Sequence, residues 1–445
     1  MFKFMTLSRT DRQHAKARLS LGGKWCARRF SEPVLLSVLL FSLPFQSIAQ
    51  STSVAPASLY VNATGKNKVV GLSPSEVRHA YGFDQIVNNH GEEQTIGIVI
   101  PFHNPNLEND LDVFSQKFGL PRCTVNNCAW FERRFYPDGI IPVPPASPSI
   151  LALFQLESAL DVEWAHAIAP RARIVLVETT DLVDDLMQAV DVAVTAGEAN
   201  VISMSWGVQE SIFRPARQHF LDQHFIKSKV AFVASAGDSG NYSCHGIASL
   251  CWPGSSPYVT SVGGTMLHLD SRGNYTAENA WKGTGTDSTP GIVSGSGGGL
   301  SINEDVPAYQ LPFNTFGKRG VPDVSYNANP NNGFAVYNSN VFQGSAGWLE
   351  IGGTSAGAPQ WAGLIAIVNS IRSTAGKETL TGSNPYLYGA ASGPSYDARY
   401  HDIVSGTNTN GQCGSLCSAT KGYDFVTGLG SPQAGNLINA LVSAP

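Results

Sequence analysis

From residue 95 onward, short apolar runs alternate with amphipathic stretches. The runs 95–102, 173–177, 201–205, 230–236 and 258–262 carry almost no charge, the pattern of strands buried on both faces. The stretches 107–118, 158–168, 182–196 and 214–225 read as helices that supply the crossovers between those strands. This repeated order predicts an α/β fold: a mostly parallel central β-sheet with helices on both faces, built as a single large domain. Farther along, the Gly- and Asn-rich region 281–340 reads as loops, 355–371 as a long apolar helix and 433–441 as a shorter closing helix. No internal repeat is visible.

The start of the chain reads differently. Eight Lys and Arg residues against Asp11 and Glu32 leave the first 49 residues at +6 and the remainder at −11, from a net charge of −5. That basic start runs into the apolar stretch 34–43, then Pro44 and the small-residue end Ser47-Ile48-Ala49, so 1–49 reads as a secretory signal peptide. A membrane anchor is the alternative, but the run is shorter than the ~20 residues a spanning helix requires, and Pro44 interrupts it. Residues 50–75 show little periodicity and read as an exposed leader, which leaves 76–441 as the domain.

With 42% hydrophobic and 14% charged residues, the 445-residue chain belongs with folded globular proteins. Its acidic remainder holds no basic cluster, which argues against nucleic acid as a partner. Of the seven cysteines, Cys26 falls in the signal. The others form three close couples, Cys123 with Cys128, Cys244 with Cys251 and Cys413 with Cys417. Such spacing suggests three small disulfide loops in an exported protein, with metal ligation and free thiols as the alternatives.

Three segments carry candidate chemistry. Gly352-Gly353-Thr354-Ser355-Ala356-Gly357-Ala358-Pro359 sets a serine at the mouth of the apolar helix, where amide donors and the helix dipole favour an acyl oxyanion. An ordinary N-cap is the plainer reading. Glu157 and Asp161 stand four apart, so on one helix they share a face, and two carboxyls pressed together hold a proton between them. The alternative is a solvated helix face. Ala236-Gly237-Asp238-Ser239-Gly240 follows a buried strand at the carboxyl edge of the sheet, where α/β folds bind ligands, unless it is a plain Asx turn.

In this order along the chain, the three segments resemble the sedolisin family of serine-carboxyl peptidases, which have a subtilisin-like fold. Arg78-His-Ala-Tyr-Gly-Phe83, Ser203-Met-Ser-Trp-Gly207, Val262-Gly-Gly-Thr265, the segment 294–301 and Pro322-Asp-Val324 extend the resemblance over about residues 76–441. It implies a secreted enzyme, extracellular or periplasmic, that hydrolyses peptide bonds in acid. Ser355 would be the nucleophile, Glu157 the general base and acid, Asp161 the carboxylate that orients it, and Asp238 the oxyanion-hole residue. A histidine base of the ordinary subtilisin kind has no counterpart here, since no histidine is followed by Gly-Thr.

The resemblance also implies a substrate edge at Ser205, Trp206 and Gly207 that pairs with an extended peptide. One structural calcium ion is implied as well, held by the side chains of Asp402 and Asp424 and the carbonyls of Ile403, Thr420 and Gly422. That is an oxygen-only cage, as calcium prefers. The expected partner is a peptide or protein substrate, met by a monomer with no stable membrane anchor. There are two departures. Relatives carry a large N-terminal prodomain, for which this chain has little room, and Ile100-Pro-Phe-His103 stands where they often place an acid before an aromatic. Two rival readings remain: a Ser-His-Asp subtilase with His166 as base, and a secreted pseudo-peptidase that only binds. His166 lies five residues past Asp161, about 500° around a helix and well off the carboxylate face.

Overall fold

The five apolar runs form the middle of an eight-stranded sheet. In chain order its strands are β1 (Thr95–Pro101), β2 (Phe131–Phe135), β3 (Arg173–Thr179), β4 (Val201–Met204), β5 (Ala231–Ser235), β6 (Thr260–Leu269), β7 (Tyr275–Ala280) and β8 (Val324–Asn327). They lie in the order β7-β6-β5-β4-β1-β3-β2, with β8 also paired to β6. All neighbours run parallel except β7 against β6. The α/β architecture read from the sequence is the one observed. These facts come from a computed structural model that describes residues 54–56, 59–124, 128–241, 243–283, 294–409 and 413–445. The signal-peptide reading lies outside them.

Among the described helices are α1 (Leu107–Phe118), α2 (Pro148–Ile168), α3 (Val183–Thr195), α4 (Pro215–Asp222), α5 (Gly357–Thr374) and α6 (Ala434–Ser443). α2 is twice the length expected. Its extra turns begin at Pro148, whose fixed φ suits the first helical position, and they are half-exposed, so the apolar signal starts only near Phe154. From there, α2 is buried on every side, as is most of α5. The two pack closely because Gly363 has no side chain; a Cβ there would lie 2.8 Å from Ile168 Cγ2.

Two expectations fail. The region 281–340 is not loop: it holds strands Gly295–Asp305, Lys318–Val321, β8 and Phe334–Phe342. Its glycines stand where another backbone comes close. A Cβ at Gly297 would lie 2.0 Å from Ala236 O, and one at Gly298 2.0 Å from Phe425 O. The leader is not merely exposed either. Tyr60–Lys66 pairs antiparallel with Ser345–Gly352, and Ala55–Pro56 pairs with Trp206–Gly207. Both are outer strands joined mainly through backbone groups, so their side chains carry no hydrophobic alternation to read.

Candidate active site

The parallel sheet delivers two chain segments to its carboxyl edge: Ser205 just after β4, and Gly237-Asp238 just after β5. α2 brings Glu157 and Asp161 beneath them. Thr354, Ser355 and Ala356 form a single 3-10 turn that feeds α5. The apolar helix therefore begins two residues later than the sequence suggested, and Ser355 sits in the turn before it. Gly353 makes the bend possible, with φ at +134°, where an L side chain would be strained. Gly357 has a Cβ-sized neighbour on each side, Val262 Cγ1 at 2.7 Å and Tyr326 Cβ at 2.9 Å, so only glycine lets the turn lie against the sheet.

Glu157, Asp161 and Ser355 are fully buried, and Asp238 is 2% exposed. Thr354 donates from both its backbone N (2.7 Å) and its Oγ1 (2.6 Å) to Asp238 Oδ1. The oxyanion candidate and the nucleophile's turn are thus one hydrogen-bonded unit. Sequence reading quoted Thr354 in a motif but gave it no role; its signal was only its place beside the serine. Ser205 Oγ donates to Asp161 Oδ1 at 2.7 Å, a contact that was not anticipated either.

The electrostatics follow from burial. Glu157 is pushed well above the usual carboxylate range, chiefly by desolvation and then by the Asp161 charge, while the nearby Ser355 hydroxyl offsets part of the rise. Asp161 is raised to about 8 by burial, with Ser205 opposing. Glu157 Oε1 and Oε2, Asp161 Oδ2 and Ser355 Oγ are all buried without a protein partner in bonding distance. Buried polar atoms are nearly always paired, so orphans gathered at one point mark a site built for a proton and a ligand.

His166 is elsewhere. Its Nε2 bonds Pro121 O at 2.9 Å, its ring stacks on Trp130 at 4.0 Å between centroids, and burial lowers its pKa to about 4. The reading of His166 as the base is overturned: the ring is used in packing, on the side of α2 away from the carboxyl pair.

The residues Ser205, Trp206 and Gly207 divide their duties. The strand Trp206–Gln209 is the middle of a three-stranded antiparallel sheet, pairing through Val208 and Gln209 with Cys251–Trp252 and through Trp206 and Gly207 with Ala55–Pro56. Its peptide groups can therefore pair with extended chain, and they do so with residues 55–56. The Trp206 side chain, however, is in the core with Nε1 bonded to Val99 O at 2.8 Å, and that of Ser205 faces Asp161. The three disulfides expected from spacing are formed, Cys123–Cys128, Cys244–Cys251 and Cys413–Cys417. The second packs its Cys251 against Gly207 and Gly237, where a Cβ would meet the cysteine at 3.1 Å in each case.

Of the five calcium candidates, four are joined in two couples, Asp402 with Gly422 and Asp424 with Thr420. Gly422 N donates to Asp402 Oδ1 and Oδ2 at 3.1 and 3.0 Å, and Thr420 N to Asp424 Oδ2 at 2.8 Å. Asp424 is raised to about 6 and Asp402 is raised, both by burial. Among the described residues neither forms an ion pair with a basic side chain. Two desolvated carboxyls without a basic partner are the kind of oxygen donors that a hard divalent cation takes.

The sequence model of the subtilase family matches residues 155–382, just over half of the chain. Sedolisin from Pseudomonas sp. (strain 101) is 34% identical over 258 residues, and kumamolisin from Bacillus sp. (strain MN-32) is 33% identical over 301. The chain is a sedolisin-type member of the subtilase family. The solved structure of Pseudomonas sedolisin, a serine-carboxyl proteinase complexed with two molecules of pseudo-iodotyrostatin, superposes with a TM-score of 0.69 at 28% identity. That match covers 84% of this sedolisin-type chain and 98% of that one. The kumamolisin match covers 64% of this chain and 50% of the relative; the sedolisin match covers 55% and 41%. The chain thus spans about half the length of the curated relatives it matches.

Proposed function

We propose that this protein is a secreted serine-carboxyl peptidase that cleaves peptide bonds in acid through an acyl-enzyme on Ser355. The observation that carries the reading is the cluster of orphaned buried oxygens where Ser355, Glu157 and Asp161 meet. Ser355 Oγ attacks the scissile carbonyl and its proton passes to Glu157. The carbonyl oxygen becomes an oxyanion, to which a protonated Asp238 donates. Thr354 donates twice to Oδ1, so the proton of Asp238 belongs on Oδ2. Collapse expels the amine, which takes the proton from Glu157, and water then hydrolyses the ester by the same route in reverse. Asp161 orients Glu157 and holds their shared proton. An extended substrate would pair with the edge at Trp206 and Gly207, displacing residues 55–56.

The pH dependence follows from the pair. One carboxyl must be ionised to act as base while the other keeps the proton, and because burial raises the proton affinity of both, the acid limb of activity should lie above the ordinary carboxylate range. Loss of the shared proton, and of the one on Asp238, ends activity as pH rises. The test is a pH–rate profile for peptide cleavage by the purified protein, with Ser355→Ala as blank. Ser355-dependent cleavage should peak in acid and fall through neutrality; a peak above pH 7 would sink the carboxyl-base mechanism.

One structural calcium ion, held by Asp402, Asp424 and the carbonyls of Ile403, Thr420 and Gly422, belongs to the same reading. It would neutralise the buried Asp424 and the half-buried Asp402 and tie the 402–403 and 420–424 segments together. Chelation should lower Tm by a few degrees, as expected when a ligand at about 100 times its Kd is withdrawn. Added calcium should restore the loss, and Asp424→Asn should abolish the difference. An unchanged Tm in the native protein would remove the ion from the account. Export through a signal at 1–49 fits the three disulfides. No described helix is long and apolar enough to cross a membrane.

A further inference from the structure

Ser205 sits between β4 and the strand Trp206–Gln209, fully buried. Its backbone belongs to the strand that would receive a peptide. Its side chain turns the other way, and its one hydroxyl proton has two acceptors to choose from: Asp161 Oδ1 at 2.7 Å and Ser355 O at 3.5 Å. The distances decide for Asp161, since a hydroxyl bond is near optimal at the first and nearly lost at the second. We propose that Ser205 is a positioning residue that, by donating to Asp161 Oδ1, fixes which oxygen of the carboxyl pair carries the shared proton.

With Oδ1 taken as acceptor, a proton on Asp161 must reside on Oδ2, the oxygen that otherwise has no protein partner. Glu157, with both its oxygens unbonded, is then the group to which that proton is held out, and the one that lies next to the Ser355 hydroxyl. The titratable groups that face the pair are the two carboxyls themselves, from α2, and Asp238 from the turn after β5. All are acidic. Hydroxyl donors are therefore what holds a negative charge in place here, and Ser205 lowers the proton affinity of Asp161 and also that of Glu157. This places Ser205 in the proton machinery, whereas resemblance had assigned it to substrate binding.

The inference rests on the peptidase reading above, and its test separates the two. Peptide cleavage is measured across pH for the native protein, Ser205→Ala and Ser205→Thr, with Ser355→Ala as blank. Removing a hydrogen bond to a charged group should raise the proton affinity of the pair, so both limbs of the kcat profile for Ser205→Ala should move up by about one pH unit. KM should stay within about twofold, because a peptide meets the backbone of this strand and not the hydroxyl. Ser205→Thr, which keeps a hydroxyl, should bring the profile back. An unmoved profile with raised KM would overturn the proposal in favour of a substrate-binding role, and equal loss at every pH would reduce Ser205 to packing. No Ser355-dependent cleavage by the native protein would overturn the peptidase reading itself.

Discussion

Replacing Ser355 by alanine is expected to lower kcat for peptide cleavage by about 10⁶-fold, and Glu157→Gln by nearly as much. The double variant should be no worse than either single one. In the proposed mechanism the two side chains act in one step: the hydroxyl is a poor nucleophile without the carboxylate, and the carboxylate has nothing to deprotonate without the hydroxyl. Losses that multiplied instead of coinciding would mean that the two act in separate steps. Asp161→Asn should cost less, about 10⁴-fold, because it orients the base and does not itself receive the proton of Ser355. Asp238→Ala should cost about 10²- to 10³-fold through the oxyanion. It also leaves Thr354 without its acceptor, so a drop in Tm should accompany it. KM should change little throughout, since none of these side chains lies on the edge that would pair with a peptide. A Ser355→Ala protein that kept more than about 1% of native activity, free of contaminating protease, would remove the serine from the nucleophile's role.

The second large effect is on stability, which should be highest in weak acid and fall toward pH 8. Asp161 and Asp222 are raised by burial to about 8 and about 7, and Glu163 and Glu278 are raised for the same reason. In the unfolded chain such groups ionise near pH 4. Between there and its folded pKa, each binds more proton in the native state than in the unfolded one. Stability therefore falls as pH rises, by up to about 1.4 kcal/mol per pH unit for each group. Histidines act in the opposite sense. Burial lowers His166 and His401 to about 4, so they favour the folded state less as pH drops below about 6.5. The two trends meet in weak acid. Above pH 6.5 the histidines are neutral in both states and only the carboxyls still count. Thermal unfolding in calcium-containing buffers should show Tm falling by ~5 °C or more from pH 5 to pH 8. Asp222→Asn should flatten the curve. A Tm that rose over that range would contradict the assignment of these carboxyls as buried and protonated.

The sequence determined a good deal by itself. Runs of uncharged β-branched residues can lie only in a sheet covered on both faces, so β1, β3, β4 and β5 and the helices between them were legible as pattern. The i, i+4 spacing put Glu157 and Asp161 on one face, and glycines around Ser355 and Asp238 marked both turns. What the sequence left undecided is of one kind. Strand pairing through Tyr60–Lys66 and Gly295–Asp305 depends on backbone groups meeting, and backbone groups are the same in every residue. Whether Glu157 and Asp161 are a solvated face or a buried, proton-sharing pair is decided by what covers them, Ser205 and Ser355, which come from positions 44 and 198 residues away along the chain. His166 is five residues from Asp161 in sequence yet spends its ring on Trp130 and Pro121, because helix geometry turns it to the other side. Only the tertiary structure could assign these, since a pKa and a hydrogen bond are properties of surroundings, and distant segments supply the surroundings.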